Sequence, residues 1–379
     1  MAQTGAIRAD LAGATAQPVI AVARPRLPPA AAVLPYLERI DEARWYSNFG
    51  PLLSEFETRL AERFGPGASV VTVVNATQGL TLALQAMGLP AGALCAVPAW
   101  TFVATAHAVC QAGLVPWFVD VDSETWMLDP DQVREALPRA PGQVGAVIPV
   151  AAFGRPLDVK AWTRFREATG VAVLIDAAAA FDTATEADLP QVVSLHATKV
   201  LGAGEGGFLA CRDEAFASKV RQLTTYGFLG NRESSFVATN AKLSEYTAAV
   251  GLAAMDSWPL DRLRWLRAAQ VLKMAFTGLP EVGFQPGWGT SWITSVCTVT
   301  LPQNTAGAVE AGLRAHGVDT RRWWGEGCHR SPAFKDFPSD SLVATDRLAA
   351  STIGLPFAID LSAEDAERIA AATAAALGG

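Results

Sequence analysis

Lys199 stands between a short apolar run and a glycine-rich segment. The run Val192–Leu195 precedes it and Gly202–Gly207 follows it. A lysine between a strand end and a glycine-rich turn is held by a rigid frame and can reach into a cleft, which suits a nucleophilic amine that forms a Schiff base. Spacing alone favours a solvated loop lysine. The other five lysines, however, lie in mixed polar segments, which favours a functional role for Lys199.

A second polar run could bind an anion. Asn75-Ala76-Thr77-Gln78 follows the apolar run Val70–Val74 and opens a helical pattern. Free backbone N–H groups and a hydroxyl at a helix start form a site for phosphate. In the simpler interpretation, Asn75 or Thr77 only caps the helix. The residues themselves leave both interpretations open.

Two further strand ends carry an aromatic residue and an acid. Trp100 or Phe102, shortly after Pro98, could cover the flat face of a cofactor ring, although core packing is the simpler role for either. Asp176 directly follows Val171–Ile175 and needs a partner, because burying an unpaired carboxylate is costly. A protonated pyridine nitrogen would serve as that partner; the alternative is a helix N-cap.

These features occur in a fixed order along the chain: a phosphate site, a ring cover, a carboxylate and a lysine. Ligands of open α/β sheets bind at the carboxyl ends of the strands. Pyridoxal 5′-phosphate (PLP) needs all four groups, so their joint order predicts PLP as the cofactor.

The elements that must position these residues form an alternating pattern. Short, fully apolar runs alternate with helical segments, which predicts an α/β fold with a mostly parallel sheet covered by helices on both faces. The predicted strands are Val70–Val74, Leu94–Val97, Val115–Val119, Gly145–Val150, Val171–Ile175, Val192–Leu195 and Phe208–Cys211. The predicted helices are Leu34–Ile40, Leu52–Phe64, Thr77–Met87, Val103–Ala112, Asp129–Leu137, Asp158–Thr169, Glu214–Tyr226 and Leu243–Met255.

The pattern changes near Trp258 and predicts a second, smaller α+β domain. We therefore divide the chain into a flexible N-terminal segment (1–24), a large domain (25–257) and a C-terminal domain (258–379). The predicted C-terminal elements are a helix over Leu260–Leu279, a strand over Trp292–Leu301, a helix over Ala306–His316, an extended segment over Val318–Trp324 and a helix over Ser362–Leu377.

Composition excludes several classes of function. The 379 residues carry a formal net charge of −7 without a basic stripe, so we expect no nucleic-acid partner. Five scattered cysteines without a CxxC motif predict reduced thiols and neither disulfides nor a metal site. Without a signal-peptide pattern or a run of roughly 18 apolar residues, we expect a cytoplasmic protein that does not enter a membrane.

From about Pro25 to Leu377 the sequence resembles the DegT/DnrJ/EryC1/StrS family of nucleotide-sugar aminotransferases, which have PLP fold type I. The most specific resemblance is Ser194–Lys199 followed by Gly204–Gly207, which is close to the lysine motif of the family. Further segments similar to family motifs are Pro98–Ala106, Phe118–Asp122, Ile148–Pro156, Thr239–Glu245 and Arg321–His329.

The resemblance implies a role for each cofactor-binding residue. Lys199 would carry the cofactor covalently, and Asp176 would pair with its pyridine nitrogen. Phe102 would lie against the ring. Asn240 would reach the phosphate of the neighbouring subunit, which implies a homodimer with shared active sites. Backbone N–H groups and one hydroxyl would bind the phosphate within the subunit, from Ala76, Thr77, Gln78 and Ser194.

The substrate-binding residues are also implied by resemblance. Tyr46 and Asn48 lie in a loop that the family uses near its substrate, and His196 and His329 belong to motifs near the substrate. Trp323 and Trp324, in the same tail motif as His329, fit core or dimer contacts as well as sugar contacts. One position departs from the family: Ala179 replaces a glutamine that contacts the ring oxygen of the cofactor in many members.

The implied reaction moves an amino group from an amino acid, L-glutamate by resemblance, to a nucleotide-linked keto sugar. We expect a dTDP-linked 4-keto-6-deoxyhexose as acceptor, for cell-surface polysaccharide or a related glycan. Three alternatives remain: a sugar 3-dehydratase, which has histidine in place of Lys199; an aminotransferase acting on a non-sugar cyclic ketone; and a non-catalytic regulatory dimer.

Overall fold

The structure, a computed structural model, describes residues 18–228 and 230–378. Residues 1–17 of the segment predicted to be flexible (1–24) therefore lie outside the described residues. Its last residues are held in place: the backbone of Ile20 bonds both Gly317 and Asp319, at 2.9 Å each. Ile20 and Val22 are buried, and this apolar burial explains why residues 18–24 are fixed.

The central sheet is continuous and mostly parallel, as predicted. Strands β1 to β4 are Ser69–Val73, Leu94–Pro98, Val115–Val119 and Val144–Val147; strands β5 to β8 are Ala172–Val173, Ile175–Asp176, Gln191–Ser194 and Gly207–Cys211. One half has the order β3-β2-β4-β5 and is parallel throughout. The other half has the order β6-β7-β8-β1, in which β8 runs antiparallel to both neighbours.

The two halves join where the chain passes from β5 to β6. Asp176 pairs with Val150, which follows β4, and Leu174 donates a backbone hydrogen bond to Val147. Because β8 alone is reversed, the carboxyl ends of the other strands meet at one edge of the sheet, together with the amino end of β8. This edge is where the predicted site residues converge.

Seven helices cover the sheet and match the predicted segments within a few residues. They are α1 (Ala30–Ala43), α2 (Pro51–Glu62), α3 (Ala76–Ala86), α4 (Val103–Gln111), α5 (Pro130–Ala136), α6 (Val159–Thr169) and α7 (Glu214–Leu223). Two separate apolar clusters, one on each face of the sheet, form the core. Helices on both faces explain why the strands are apolar throughout rather than alternating.

The next helix, α8 (Glu245–Ala275), differs from the prediction of two helices. It runs for 31 residues through Pro259 without ending. Leu252 before the proline and Leu272 after it are both fully buried, so packing along both halves outweighs the lost backbone hydrogen bond. The boundary expected at 257/258 falls inside this helix, and the division into two domains stays a prediction.

The C-terminal part is α+β, as expected, with different boundaries. An antiparallel sheet has the order β11-β10-β9, formed by Thr352–Leu355, Cys297–Thr300 and Gly283–Phe284. Helices α9 (Ala306–Ala315), α10 (Val343–Ser351) and α11 (Ala363–Gly378) complete it, and the sequence did not predict α10 or β11. Ser362 caps α11 by accepting a hydrogen bond from Asp365 N at 3.0 Å.

Two predicted extended segments are shorter than expected. The strand predicted over Trp292–Leu301 begins only at Cys297, because Trp292 belongs to a turn in which its carbonyl accepts from Gly289 N at 2.8 Å. The segment Val318–Trp324 makes single bridges instead of a strand. Among the described residues, no helix has both the length and the apolar character needed to cross a membrane.

Glu245 fastens the loop before α2. Its side chain is buried and accepts hydrogen bonds from Leu52 N (2.8 Å) and Leu53 N (3.0 Å), so it caps the first turn of α2. Its own backbone N–H donates to the Tyr46 carbonyl at 3.1 Å. The start of α8 therefore fixes the loop that carries Tyr46 and Asn48.

Candidate active site

A cleft of about 620 Å³ opens at the edge where the strand ends meet. It contains most of the residues that the sequence singled out: Ala76, Thr77, Gln78, Phe102, Asp176, Ser194, His196 and Lys199 all line it. Four of the predicted residues do not line it: Tyr46, Asn48, Asn240 and His329.

Asp176 ends β6 and lies at the floor of the cleft, with 5% of its surface exposed. Thr105 donates its hydroxyl to Asp176 Oδ2 at 2.8 Å, and Ala178 N donates to Oδ1 at 3.0 Å. Burial raises the pKa of Asp176, while these two hydrogen bonds and the nearby Lys199 lower it. The carboxylate therefore favours a cationic or proton-donating partner.

Lys199 lies in the loop after β7. Its backbone N–H donates to the His196 carbonyl at 2.9 Å, and Ala197 N donates to Gly204 O at 2.7 Å. Gly204 has a φ of +94°, which an L side chain rarely adopts, so the return of the loop requires glycine. Burial lowers the pKa of Lys199, and the charge of Asp176 raises it. The amine is therefore more easily deprotonated than an exposed lysine.

The start of α3 offers donors for an anion, with one correction to the prediction. Asn75 Oδ1 accepts from Gln78 N at 2.9 Å, so this cap already occupies the backbone N–H of Gln78. The N–H groups of Ala76 and Thr77 belong to the first turn, which provides no acceptor within the helix. The two interpretations of the motif are therefore compatible: Asn75 caps the helix, and the N–H groups of Ala76 and Thr77 remain suited to an anion.

Gly207, the first residue of β8, borders the start of α3 from the other side. A Cβ on Gly207 would lie 2.8 Å from Ala76 N, so only glycine lets β8 approach the helix start this closely. Ser194, at the end of β7, accepts from His196 N at 3.2 Å, and its own hydroxyl proton stays available to a ligand.

The two aromatic residues after β2, Trp100 and Phe102, differ in their exposure. Trp100 is 2% exposed and packs edge-on against Trp324, with ring centroids 5.4 Å apart. Phe102 is 56% exposed although it lies in the cleft wall. An exposed aromatic face of this kind can cover a flat ligand, whereas Trp100 belongs to the core.

His196 is held in one orientation. Its Nδ1 lies 2.8 Å from Thr198 Oγ1 and accepts from Thr198 N at 3.2 Å. In neutral imidazole the proton is therefore assigned to Nε2, which lies 3.6 Å from Glu205 Oε1. Both side chains line the cleft, so the pair offers a donor and an acceptor to a ligand.

The structure separates His329 from the cleft. Cys328 N donates to Ala99 O at 2.8 Å, and the ring of His329 then packs near Phe118, with centroids 6.2 Å apart. Burial and the charge of Arg330 lower the pKa of His329. Its expected contact with substrate has no support in the geometry, because the tail turns it toward the core.

Tyr46, Asn48 and Asn240 lie on the outside of the chain. Tyr46 is 48% exposed and stacks on Tyr246 at 6.3 Å. Asn240 is exposed and accepts a hydrogen bond from Lys242. None of the three residues lines the cleft, so their roles stay predictions.

The sequence left the role of Trp324 open and did not single out Thr294 or Ser295, which also belong to the cleft wall. Trp324 lines it and stacks on Phe153, with centroids 3.8 Å apart and planes at 16°. Thr294 and Ser295, just before β10, face the strand ends from the C-terminal part of the chain. Thr294 Oγ1 lies 3.4 Å from the Ala179 carbonyl, so this segment borders the position where the family glutamine is absent. No local pattern marks residues that approach only through tertiary packing.

The residues present fit each part of PLP. The N–H groups of Ala76 and Thr77 suit a phosphate, and Phe102 suits the face of the ring. Asp176 suits the pyridine nitrogen, and Lys199 suits the aldehyde carbon. Within the described residues, no group of histidine, cysteine and acidic side chains could hold a metal ion.

Comparison with known proteins agrees with this geometry. The family model of the DegT/DnrJ/EryC1/StrS aminotransferase family matches residues 30–374. A solved chain from Bacillus cereus, assigned as a PLP-dependent aminotransferase, superposes with a TM-score of 0.88; it is 27% identical, with 94% of this chain and 100% of that chain covered. The fold is that of the PLP-dependent aminotransferases of fold type I.

The chain belongs to the DegT/DnrJ/EryC1/StrS aminotransferase family. The structure of DesI in the presence of its TDP-sugar product is 32% identical, with a TM-score of 0.84 over 95% of this chain and 93% of that chain. The dTDP-4-amino-4,6-dideoxy-D-glucose transaminase of Shigella dysenteriae is 34% identical over 62% of this chain and 65% of that protein.

The first prediction concerns the charge on Lys199. An amine attacks a carbonyl only when uncharged, and burial puts the pKa of Lys199 below its ordinary value of 10.5. The rate at which PLP attaches to the apoprotein should therefore reach half its maximum below pH 10.5. In Asp176→Asn this midpoint should fall further, because the charge that stabilises the ammonium is gone. Stopped-flow absorbance of the lysine-bound cofactor measures it.

Asp188→Asn serves as the control, because Asp188 is half exposed, pairs with Arg212 and does not line the cleft. Its midpoint should match that of the wild type. A midpoint that rises or stays constant in Asp176→Asn would contradict the assigned coupling.

The second prediction separates the cap from the anion site. Asn75→Ala removes the cap and should lower the free energy of unfolding by about 1 kcal/mol. Asn75→Asp keeps the cap but adds a negative charge where the phosphate is expected, so it should weaken PLP binding by about tenfold or more at nearly wild-type stability. Urea unfolding of the apoprotein and PLP titration measure the two effects. Wild-type PLP affinity in Asn75→Asp would place the phosphate elsewhere.

Proposed function

We propose that this aminotransferase moves the amino group of L-glutamate to the keto carbon of a nucleotide-linked sugar, most simply a dTDP-linked 4-keto-6-deoxyhexose destined for a glycan. The observation that carries the proposal is the make-up of the cleft. Lys199 and Asp176 lie in its wall, and the aromatic surfaces of Phe102, Trp323 and Trp324 line the same space of about 620 Å³. The likeness to DesI and to the Shigella transaminase supports this choice of acceptor.

Asp176 and Lys199 have different roles in the proposed reaction. Bound PLP supplies an electron sink that lets a C–H bond next to nitrogen break. Asp176 keeps the proton on the pyridine nitrogen, which the sink requires. Lys199 Nζ, once free, takes the proton from Cα of the amino acid as general base and later returns a proton as general acid. Its lowered pKa makes the base form more accessible than it is in an exposed lysine.

The two substrates use the cleft in turn. Bound PLP would hold the nitrogen between the two half-reactions, so the amino acid would depart as a keto acid before the keto sugar enters to receive the amino group. The donor and acceptor never bind together, so ping-pong kinetics should follow. His196 and Glu205, which face the cleft as a donor and acceptor pair, are suited to sugar hydroxyl groups.

We further propose that the active unit is a homodimer. The segment before Asn240 carries the exposed apolar side chains of Phe236 (42%) and Val237 (100%), and the backbone N–H of the half-exposed Tyr226 (48%) donates to Thr239 O beside them. Such a patch is typical of an interface. A second copy on this surface would bring Asn240 to the phosphate site of its partner, and the loop of Tyr46 and Asn48 to the mouth of the cleft.

The third prediction tests the substrate class. We expect the enzyme, given L-glutamate, to aminate at least one member of a panel of dTDP- and UDP-linked keto sugars, with the mass change of a carbonyl converted to an amine. Lys199→Ala should abolish both turnover and the visible absorbance of the lysine-bound cofactor. Cyclic ketones without a nucleotide form the comparison arm. Amination of these alone, with glutamate still consumed, would refute the sugar proposal and leave the aminotransferase activity intact.

The fourth prediction tests the shared site. Lys199→Ala and Asn240→Ala subunits are expressed together and compared with each variant alone at low PLP. If Asn240 serves the partner, one of the two sites in each mixed dimer is intact. Because random pairing makes about half of the dimers mixed, about a quarter of wild-type activity should return. If Asn240 serves its own subunit, every mixed site lacks one residue and no activity returns.

A further inference from the structure

A second cavity of about 330 Å³ lies beside the cleft. Phe102, Trp323 and Trp324 line both spaces, so the two share an aromatic wall. The outer wall is formed by the tail between Gly325 and Ser331. We call this second cavity the side cavity. The volume of the side cavity falls within the range of roughly 300–1,000 Å³ seen for ligand pockets.

The charges of the two spaces differ. The side chains that line the main cleft include Asp176 and Glu205, and its cationic groups are Lys199, which the chemistry uses, and His196 when protonated. No arginine of the described residues lines it. The N–H donors at the start of α3 would be taken by the phosphate of PLP, so a further ligand part with two linked negative charges would be poorly stabilised in the main cleft, whereas the side cavity contains Arg330.

Arg330 is half exposed and only partly engaged. Its Nη2 and Nε donate to the same oxygen, Asp346 Oδ1, at 2.7 and 3.3 Å. Within the described part of the chain, Nη1 has no hydrogen-bond partner. The guanidinium thus keeps donors for a second anion, and its planar fork matches the oxygens of a phosphate group.

We propose that the side cavity holds the diphosphate of the nucleotide-linked acceptor, with Arg330 as its cationic contact and Phe102 and Trp324 separating it from the reacting sugar. This inference rests on the proposed function. The keto carbon must approach Lys199, so the diphosphate that follows along the molecule must lie outside the main cleft. The side cavity is the adjoining space that offers an arginine.

Two carboxylates lie near this site, and removing their charge should have the opposite effect on diphosphate binding from removing Arg330. Asp346 competes for Arg330, and Glu326 lines the same cavity and would repel a diphosphate. If the site binds a diphosphate, Asp346→Asn and Glu326→Gln should both strengthen binding, whereas Arg330→Ala should weaken it. Loosening of the tail would weaken binding in both Arg330→Ala and Asp346→Asn, and that result would overturn the proposal.

The fifth prediction is measured on the PLP-loaded enzyme, with thymidine diphosphate as the probe in isothermal titration calorimetry. We expect Arg330→Ala to weaken binding by about tenfold or more, and Asp346→Asn and Glu326→Gln to tighten it severalfold. Arg264→Ala is the matched control, because Arg264 is similarly exposed (47%) and paired with Asp261 but lines neither cavity. Unchanged binding in Arg330→Ala, or no binding to the wild type, overturns the proposal.

Kinetics separate the diphosphate from other anions. Arg330→Ala should raise KM for the nucleotide sugar and leave the half-reaction with L-glutamate at its wild-type rate. If the glutamate half-reaction slows instead, Arg330 holds a carboxylate of the donor and the proposal is wrong. If the wild type aminates a nucleotide sugar and Arg330→Ala shows the same KM, only the side cavity is refuted. If no nucleotide sugar is aminated, the proposed function itself fails.

Discussion

The site depends on the electrostatic coupling between the carboxylate of Asp176, which is buried, and the amine of Lys199, which is partly buried in the same cleft. Burial disfavours the charged form of each group, and each charge partly offsets the cost for the other. Thr105 and Ala178 stabilise the carboxylate further by hydrogen bonds. A cofactor with a cationic ring nitrogen and an aldehyde would satisfy both groups at once. Cofactor binding would therefore offset the free-energy cost of removing these two charged groups from water.

The fold holds this pair in position by the reversal of a single strand. Because β8 runs antiparallel to its neighbours, its first residue, Gly207, lies at the edge where β1, β6 and β7 end. The absence of a side chain there brings the start of α3 against the loop of Lys199. Phosphate site, carboxylate and lysine consequently lie around one cleft, although more than a hundred residues separate the first from the last.

The C-terminal part of the chain completes the cleft through contacts that depend on tertiary packing. Trp324 reaches it by stacking on Phe153, and Thr294 by approaching the carbonyl of Ala179. The same tail bends at Cys328, which turns His329 away and leaves Arg330 in the side cavity. Under the proposed function, substrate choice would depend on a segment that the strand and helix pattern of the large domain does not specify.

The sequence by itself determined the alternating elements, the strand-end residues Asp176 and Lys199 and the helix start at Ala76, because periodicity, caps and glycines act over a few neighbouring residues. It could not determine that α8 passes through Pro259, that the N–H of Gln78 is occupied, or that His329 packs inward. Those outcomes depend on which distant side chains fill the space around each residue. Only the tertiary structure decided them, since packing energy outweighs local preference wherever the two compete.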